Sequence, residues 1–294
     1  MKDILVVMIN YNSSEHTLEA VKALSKQTID SFDLVIIDNN SKDSEKKVLM
    51  GNKFDNNVEV IYAEQNYGFA GGNNIILQSK KILSYKNILL MNNDVWVDSD
   101  FLELILKGAD RYPNAILCPQ IIDYYNRNTI LYAGGDIKKY KGAVTIWGAG
   151  EKVGTHEEDK KITFAHGCCM FIPVSVLKKI GGMREDYFLY YEDTDYSKKI
   201  LDNGYDMWYL HDAKLYHKES VSTGLYSMNY QYYFSRGRLL FVKYNIEGGV
   251  KFFAYVYTFA FLIRAILEGN FTIKGCMLGV IDFFKGCVGK KKIV

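Results

Sequence analysis

The chain has 294 residues, 48% of them apolar, enough for one large α/β domain with a smaller appendage and too apolar for a disordered chain. Lys and Arg number 36 against 34 Asp and Glu, a net charge of +2 with no basic cluster before the last residues, which excludes nucleic acid as a partner. Five cysteines (Cys118, Cys168, Cys169, Cys276, Cys287) without a CxxC pair read as reduced thiols of a cytoplasmic protein, and the apolar stretch after Met1-Lys2-Asp3 is too short for a signal peptide.

Short β-branched runs alternate with helical patterns through the first third. Strands are predicted over Ile4 to Ile9, Leu34 to Ile37, Val58 to Tyr62 and Ile88 to Met91, with Leu18, Val21 and Leu24 at helical spacing between the first two. This alternation predicts a parallel sheet. Each strand ends in a polar cluster: Asn10-Tyr11-Asn12-Ser13, Asp38-Asn39-Asn40-Ser41, Glu64 to Gly68, and Asn92-Asn93-Asp94. In an open α/β sheet such loops line the ligand crevice, so four of them converge on one edge.

A helix opened by Ser99 follows, then short strands near Ala115 to Cys118, Thr129 to Ala133 and Val144 to Trp147, a less regular region suited to shaping an acceptor site. A strand over Phe164 to Ile172 leads to a helix over Val174 to Ile180 that stops at Gly181-Gly182. The next helix, Glu192 to Asn203, carries Glu192, Asp193 and Asp195 in its first turn, where charge compensation of the helix dipole is the plainest role for them.

From Met228 the chain is predicted helical, with an aromatic surface interrupted by Arg236 and Arg238. A second helix follows Gly248-Gly249, and its apolar run, Phe252 to Ile263, ends at Arg264, short of the roughly 20 residues that span a bilayer. Seven Lys or Arg against three Asp or Glu lie beyond Asn245, so this tail suits peripheral contact with an anionic membrane, or packing in a homodimer.

Three motifs carry chemistry. In Asn92-Asn93-Asp94 one carboxylate and two amides offer oxygen ligands to Mg²⁺ or Mn²⁺. The Asp38 carboxylate can accept from the imide N–H of uracil or thymine while neighbouring amides fix the ribose. Asn66-Tyr67-Gly68-Phe69-Ala70-Gly71-Gly72-Asn73-Asn74 lets backbone amides at a helix start approach a diphosphate. It is not GxGxxG and follows the third strand, which argues against a dinucleotide-binding dehydrogenase.

NYN, DNNS, NYGFAGGNN, NNDV, YYEDTD and HKES occur in an order and spacing that resembles family 2 glycosyltransferases, most closely the rhamnosyltransferase-like branch, from about Ile4 to Ser222. The resemblance implies a GT-A α/β fold: a mostly parallel sheet with flanking helices, residues 1–225, in a nucleotide-sugar half (1–98) and an acceptor half (99–225), and a helical region 226–294. It implies an inverting transfer from a nucleotide-diphosphate sugar, first dTDP-rhamnose, to a glycan or lipid-linked saccharide in cell-surface polysaccharide synthesis, at the inner face of the membrane.

Under this resemblance Asn10, Tyr11, Asn12, Asp38, Asn39, Gly68, Ala70, Asn73 and Asn93 serve the donor, with Tyr11, Asn12 and Asp38 at the base. Asp94 holds the metal and His217 is a further ligand. Asp193 is the catalytic base with Glu192 beside it, and Arg184, Glu185 and Tyr191 face the acceptor. Two positions depart from the family pattern: Asn-Asn-Asp offers one carboxylate where many members have two, and Arg184 replaces the usual Asp after Gly181-Gly182-Met183. A UDP-hexose or UDP-galactofuranose is the alternative donor. A non-catalytic nucleotide-sugar-binding subunit would be expected to lack Asp94 or Asp193, and both are present.

Overall fold

The computed structural model describes residues 1–218 and 227–291. Ser220 of the HKES motif and the expected boundary at 225/226 lie outside them. The strands are β1 (Lys2–Asn10), β2 (Phe32–Asp38), β3 (Val58–Tyr62), β4 (Tyr85–Asn92), β5 (Val95–Val97), β6 (Ile116–Asp123), β7 (Ile130–Tyr132), β8 (Gly135–Lys138), β9 (Ala143–Ile146), β10 (Lys160–Ile162), β11 (Cys169–Pro173) and β12 (Met207–His217). The helices are α1 (Ser14–Leu24), α2 (Asp43–Met50), α3 (Gly68–Leu77), α4 (Phe101–Arg111), α5 (Val174–Ile180), α6 (Glu192–Asp202), α7 (Met228–Asn245), α8 (Gly248–Leu267) and α9 (Ile273–Phe284).

One sheet runs β10-β12-β6-β11-β4-β1-β2-β3, with β5 on β12 and β7 on β6, while β8 and β9 form a separate hairpin. The first half is parallel throughout, as the alternation predicts, and its strands end in register: Asn10 opposite Asp38, and Ile9 opposite Asn92. The second half is mixed. Strand β11 runs antiparallel to β4 and β6, and β12 runs parallel to β6, so that His217 ends opposite Val95 at the same edge as Asn10 and Asn92. The apolar runs of β1, β2, β4 and β11 are buried on both faces, which is why they read as continuous rather than alternating.

Three elements depart from the sequence expectation. The strand expected over Phe164 to Ile172 begins only at Cys169, because the backbone ahead of it bonds side chains of α6 instead of a ladder: Ala165 N–H donates to Ser197 Oγ (3.0 Å) and Gly167 N–H to Asp193 Oδ2 (3.1 Å). Strand β12 escaped prediction because a register shift between Leu210 and Lys214 breaks its alternation. Helix α8 runs past Arg264 to Leu267, 20 residues in all, so by length and composition it could cross a bilayer, contrary to the count of its apolar run.

The two halves are joined at Asn74 on α3. Its Nδ2 donates to Met183 C=O (2.9 Å) and Glu185 Oε1 (2.7 Å), and its Oδ1 accepts from Met183 N–H (2.9 Å). Asn74→Ala leaves both buried peptide groups of Met183 without partners, an expected loss of roughly 2–3 kcal/mol. Urea unfolding checks this: a midpoint equal to that of the parent would contradict the clamp.

Candidate active site

At the carboxyl edge of β1, the buried Asn10 amide gathers the strand ends. Its Nδ2 donates to Asp38 Oδ1 (2.8 Å) and Ser41 Oγ (3.2 Å), while its Oδ1 accepts from Thr17 Oγ1 (2.9 Å) and Asn93 Nδ2 (3.3 Å). The second Asp38 oxygen accepts from Ser41 N–H (3.1 Å), and Asp38 is wholly buried. Asn93 also donates to Ser13 Oγ (2.7 Å) and Thr17 Oγ1 (2.8 Å). The side chains of Asn10, Asp38 and Asn93, expected at the donor, are thus hydrogen-bonded to one another and to the neighbouring loops, since a parallel sheet ends in polar groups that need partners.

The glycine-rich loop is held the same way. Asn39 Nδ2 donates to Gly68 C=O (2.9 Å), and its Oδ1 accepts from Tyr67 N–H (2.9 Å). Asn73 Nδ2 donates within its own helix to Phe69 C=O (3.0 Å), and Ala70 is fully buried in the core. Asn39, Ala70 and Asn73 thus help to hold the glycine-rich loop in place. Gly68 takes φ +74° and lies so close to the carbonyl of Phe188 that a Cβ would sit 2.1 Å from its oxygen, while Phe69 N–H donates to that carbonyl (2.9 Å). Glycine is required there by both conformation and contact. The expected base-side residues that remain accessible are Tyr11, exposed at the mouth, and Asn12, half-buried at φ 55° with its Oδ1 accepting from Lys42 N–H (2.8 Å).

Asp94 and His217, 123 positions apart in sequence, meet: His217 Nε2 lies 3.2 Å from Asp94 Oδ1. That oxygen is buried and makes no hydrogen bond among the described residues. A buried carboxylate oxygen without a donor, beside an imidazole, fits a divalent cation that takes oxygen and nitrogen ligands. Another group able to hold a cation, Asp159, His211 and Asp212, offers ligand atoms within 4.8 Å of one another. Arg111 lies 3.1 Å from Asp159 and 3.0 Å from Asp212, filling that group with its own charge. His211 is six residues before His217 on β12, roughly 20 Å away at the rise of a strand, and so well away from this edge.

The turn His166-Gly167-Cys168 lies between the Asp94 pair and the start of α6. Asn92 N–H donates to Cys168 C=O (2.9 Å), and Gly167 N–H donates to Asp193 Oδ2. Asp193 Oδ1 accepts from Thr194 N–H (2.7 Å) and Thr194 Oγ1 (3.2 Å). Burial raises the Asp193 carboxyl above its usual range although these hydrogen bonds oppose the shift. Glu192 is buried with Oε2 unpartnered, and burial, then the charge of Asp193, pushes it up to about 8. His166 is driven down to about 3 by burial and by His217, so it is neutral at physiological pH. His166 and Gly167 went unread in the sequence because they lay inside the expected strand.

Of the residues expected on the acceptor side, Tyr191 caps α6 next to Asp193, while Arg184 and Glu185 have other partners. Arg184 lies 3.4 Å from Asp195 and over the ring of Tyr244 (4.5 Å), lining a cavity of about 440 Å³ with Lys199 and Asn245. Glu185 is tied to Asn74. Tyr191 is buried against Phe234 and Phe241, because α7 covers it. The segment between them is strained: Phe188, Tyr190 and Tyr191 all have φ between 65° and 74°, a region that costs non-glycine residues energy and gathers at functional sites.

Residues 5–181, well over half of the chain, match the description "Glycosyl transferase family 2". The chain belongs to glycosyl transferase family 2. Within the family it is 24% identical over 242 residues to the low-salt glycan biosynthesis hexosyltransferase Agl10 of Haloferax volcanii, covering 82% of this chain and 75% of that one. It is 23% identical over 247 residues to the N-acetylglucosaminyl-diphospho-decaprenol L-rhamnosyltransferase of Mycobacterium tuberculosis (76% and 79% covered). Among solved structures it resembles GalNAc-T7 with UDP, GalNAc and Mn²⁺ (TM-score 0.66, 14% identity, 98% and 55% covered). It also resembles S. aureus TarS 1-349 in complex with UDP-GlcNAc (TM-score 0.60, 15% identity, 97% and 81% covered). These likenesses establish the GT-A fold, and the family 2 chain is a glycosyltransferase with hexosyl- and rhamnosyltransferase relatives. The family match stops before α6, so Glu192 and Asp193 rest on the geometry above.

The buried Glu192 has a consequence for stability. Its pKa in the folded chain exceeds the ordinary 4.5, so the folded chain retains a proton that the unfolded chain has released, and stability falls as the pH rises from about 4.5 to about 8. Thermal or urea unfolding across that window should show a steeper fall for the parent than for Glu192→Gln. Parallel curves would contradict a protonated Glu192.

Proposed function

We propose that the chain is an inverting hexosyltransferase that moves a sugar, first of all rhamnose from dTDP-rhamnose, to a hydroxyl of a glycan or lipid-linked saccharide in surface polysaccharide synthesis. The observation that carries this reading is the placement of two kinds of acid on either side of the His166-Gly167-Cys168 turn. On one side is Asp94 Oδ1, buried beside His217; on the other is Asp193, half-buried and held by a backbone N–H.

In this reading Asp94 and His217 would hold Mg²⁺ or Mn²⁺, which when bound neutralises charge on the diphosphate. Tyr11 and Asn12 face the base, and the amides at the start of α3, fixed by Asn39 and Gly68, face the donor phosphates or sugar. The acceptor hydroxyl oxygen attacks the anomeric carbon while the bond from that carbon to the diphosphate oxygen breaks, and the nucleoside diphosphate leaves with the electron pair. Asp193 accepts the hydroxyl proton. Its burial strengthens it as a base, and the neighbouring Glu192 stays protonated, so the first turn of α6 carries one negative charge rather than two toward the donor.

The rhamnosyl donor draws support from the mycobacterial relative's name, whereas a UDP-hexose draws it from the TarS complex with UDP-GlcNAc. Calorimetric titration with dTDP, UDP and GDP, followed by dTDP-rhamnose and UDP-sugars, each with and without Mn²⁺, separates them. Metal-enhanced binding of one pyrimidine nucleotide is expected, and no nucleotide binding under any condition would overturn the reading. Asp193→Asn should keep donor affinity while lowering kcat by about 10²- to 10⁴-fold, the scale of a removed general base. A kcat close to that of the parent in a steady-state transfer assay would remove Asp193 from the role.

A further inference from the structure

Helix α8 presents apolar side chains on the side turned away from the protein. Phe253, Val256, Ile263 and Leu267, at helical spacing, are 50–82% exposed, whereas Ala254, Thr258, Leu262 and Ala265 form its buried side. Helix α9 does the same: Ile273, Met277, Ile281 and Phe284 are exposed along one stripe, with Gly275, Cys276, Gly279 and Asp282 buried. An exposed helix face of a water-soluble domain is normally polar, so two such stripes on neighbouring helices require an apolar partner. Both helices pack on α7, and the rings of Tyr255 on α8 and Phe283 on α9 meet at 6.1 Å.

The charges around this surface are predominantly positive. Lys139, Arg264, Lys274, Lys285 and Lys290 are exposed there, against Glu247 and Glu268, and Glu268 is already paired with Arg264 at 2.7 Å. Cations outnumber carboxylates there, so a self-complementary contact with a second copy would bring mostly like charges together, whereas an anionic surface would be attracted to them. We propose that α8 and α9 form one in-plane docking surface for an anionic lipid bilayer, with both helices lying in the interface rather than crossing it.

The packing of α8 decides against crossing. Its inner side rests on the turn Lys139–Lys141 and on α7, where Arg238 Nη2 donates to Lys141 C=O (2.8 Å) and its guanidinium lies over Tyr257 and Phe261. Gly142, at φ +56°, lets the hairpin approach α7 and α8 so closely that a Cβ would sit 2.4 Å from Val242 of α7 and 3.3 Å from Thr258 of α8. A membrane-spanning α8 would drag this charged turn into hydrocarbon; a helix lying flat keeps it in water and immerses only the Phe and Ile side chains.

The inference is independent of the transfer reaction, and so is its test. The full chain is floated with phosphatidylcholine vesicles with and without phosphatidylglycerol, at low and high salt. Binding to the anionic vesicles that weakens with salt is expected, with Phe253→Glu/Ile281→Glu losing about tenfold or more and Lys274→Ala/Lys285→Ala losing roughly fivefold per lysine on the anionic vesicles alone. Circular dichroism and nucleotide titration verify that both variants stay folded. No flotation with either vesicle, or equal binding by the Glu variant, would overturn the proposal. A dimer of the parent that Phe253→Glu/Ile281→Glu dissociates, without vesicle binding, would assign the surface to a second copy instead.

Discussion

The side-chain amide of Asn10 closes the carboxyl edge of the sheet, and the arrangement of the site depends on it. Parallel strands that end level with one another leave peptide groups and loop side chains crowded into a region that water cannot reach. Asn10 answers this by joining Asp38 and Ser41 on one side to Thr17 and Asn93 on the other. With these groups satisfied by one another, Asp94 Oδ1 beside His217 and the Asp193 carboxylate beside Gly167 are left as the acids nearest the edge.

This division explains how much of the site was legible in the sequence. The parallel half of the sheet was readable because its strands are continuous apolar runs with polar ends, and the edge to which Asp94 and Asp38 belong followed from it. What the polar side chains do there was not readable. A motif such as DNNS or NYGFAGGNN marks where a loop must be built, but the same Asn can brace the loop or face a ligand, and only the three-dimensional packing shows that Asn39, Asn73 and Asn93 brace. The pairing of Asp94 with His217 came only from the family resemblance, since β12, which carries His217 to the edge, hides behind a register shift.

The acceptor side was read least well, and for a related reason. Phe188, Tyr190 and Tyr191 take positive-φ backbone conformations that no local propensity favours, held by contacts from distant elements: Gly68 and Phe69 of α3 touch Phe188, and Gly237 of α7 lies against Tyr190 and Tyr191. The buried Arg236 adds a hydrogen bond from Nη2 to Tyr187 C=O (3.1 Å). The C-terminal helices are therefore part of what shapes the start of α6, where Glu192 and Asp193 stand. This couples the helical region to the chemistry through packing, quite apart from any surface it presents outward.

The proposed transfer needs a divalent cation at Asp94 and His217 rather than at the Arg111-filled group of Asp159, His211 and Asp212. Electron paramagnetic resonance of Mn²⁺, titrated into the parent, Asp94→Ala and Asp159→Ala in the presence of UDP or dTDP, tests it directly. Nucleotide-dependent Mn²⁺ binding is expected to be lost in Asp94→Ala and kept in Asp159→Ala; binding that survives in Asp94→Ala, or that disappears in Asp159→Ala, would rule this placement out.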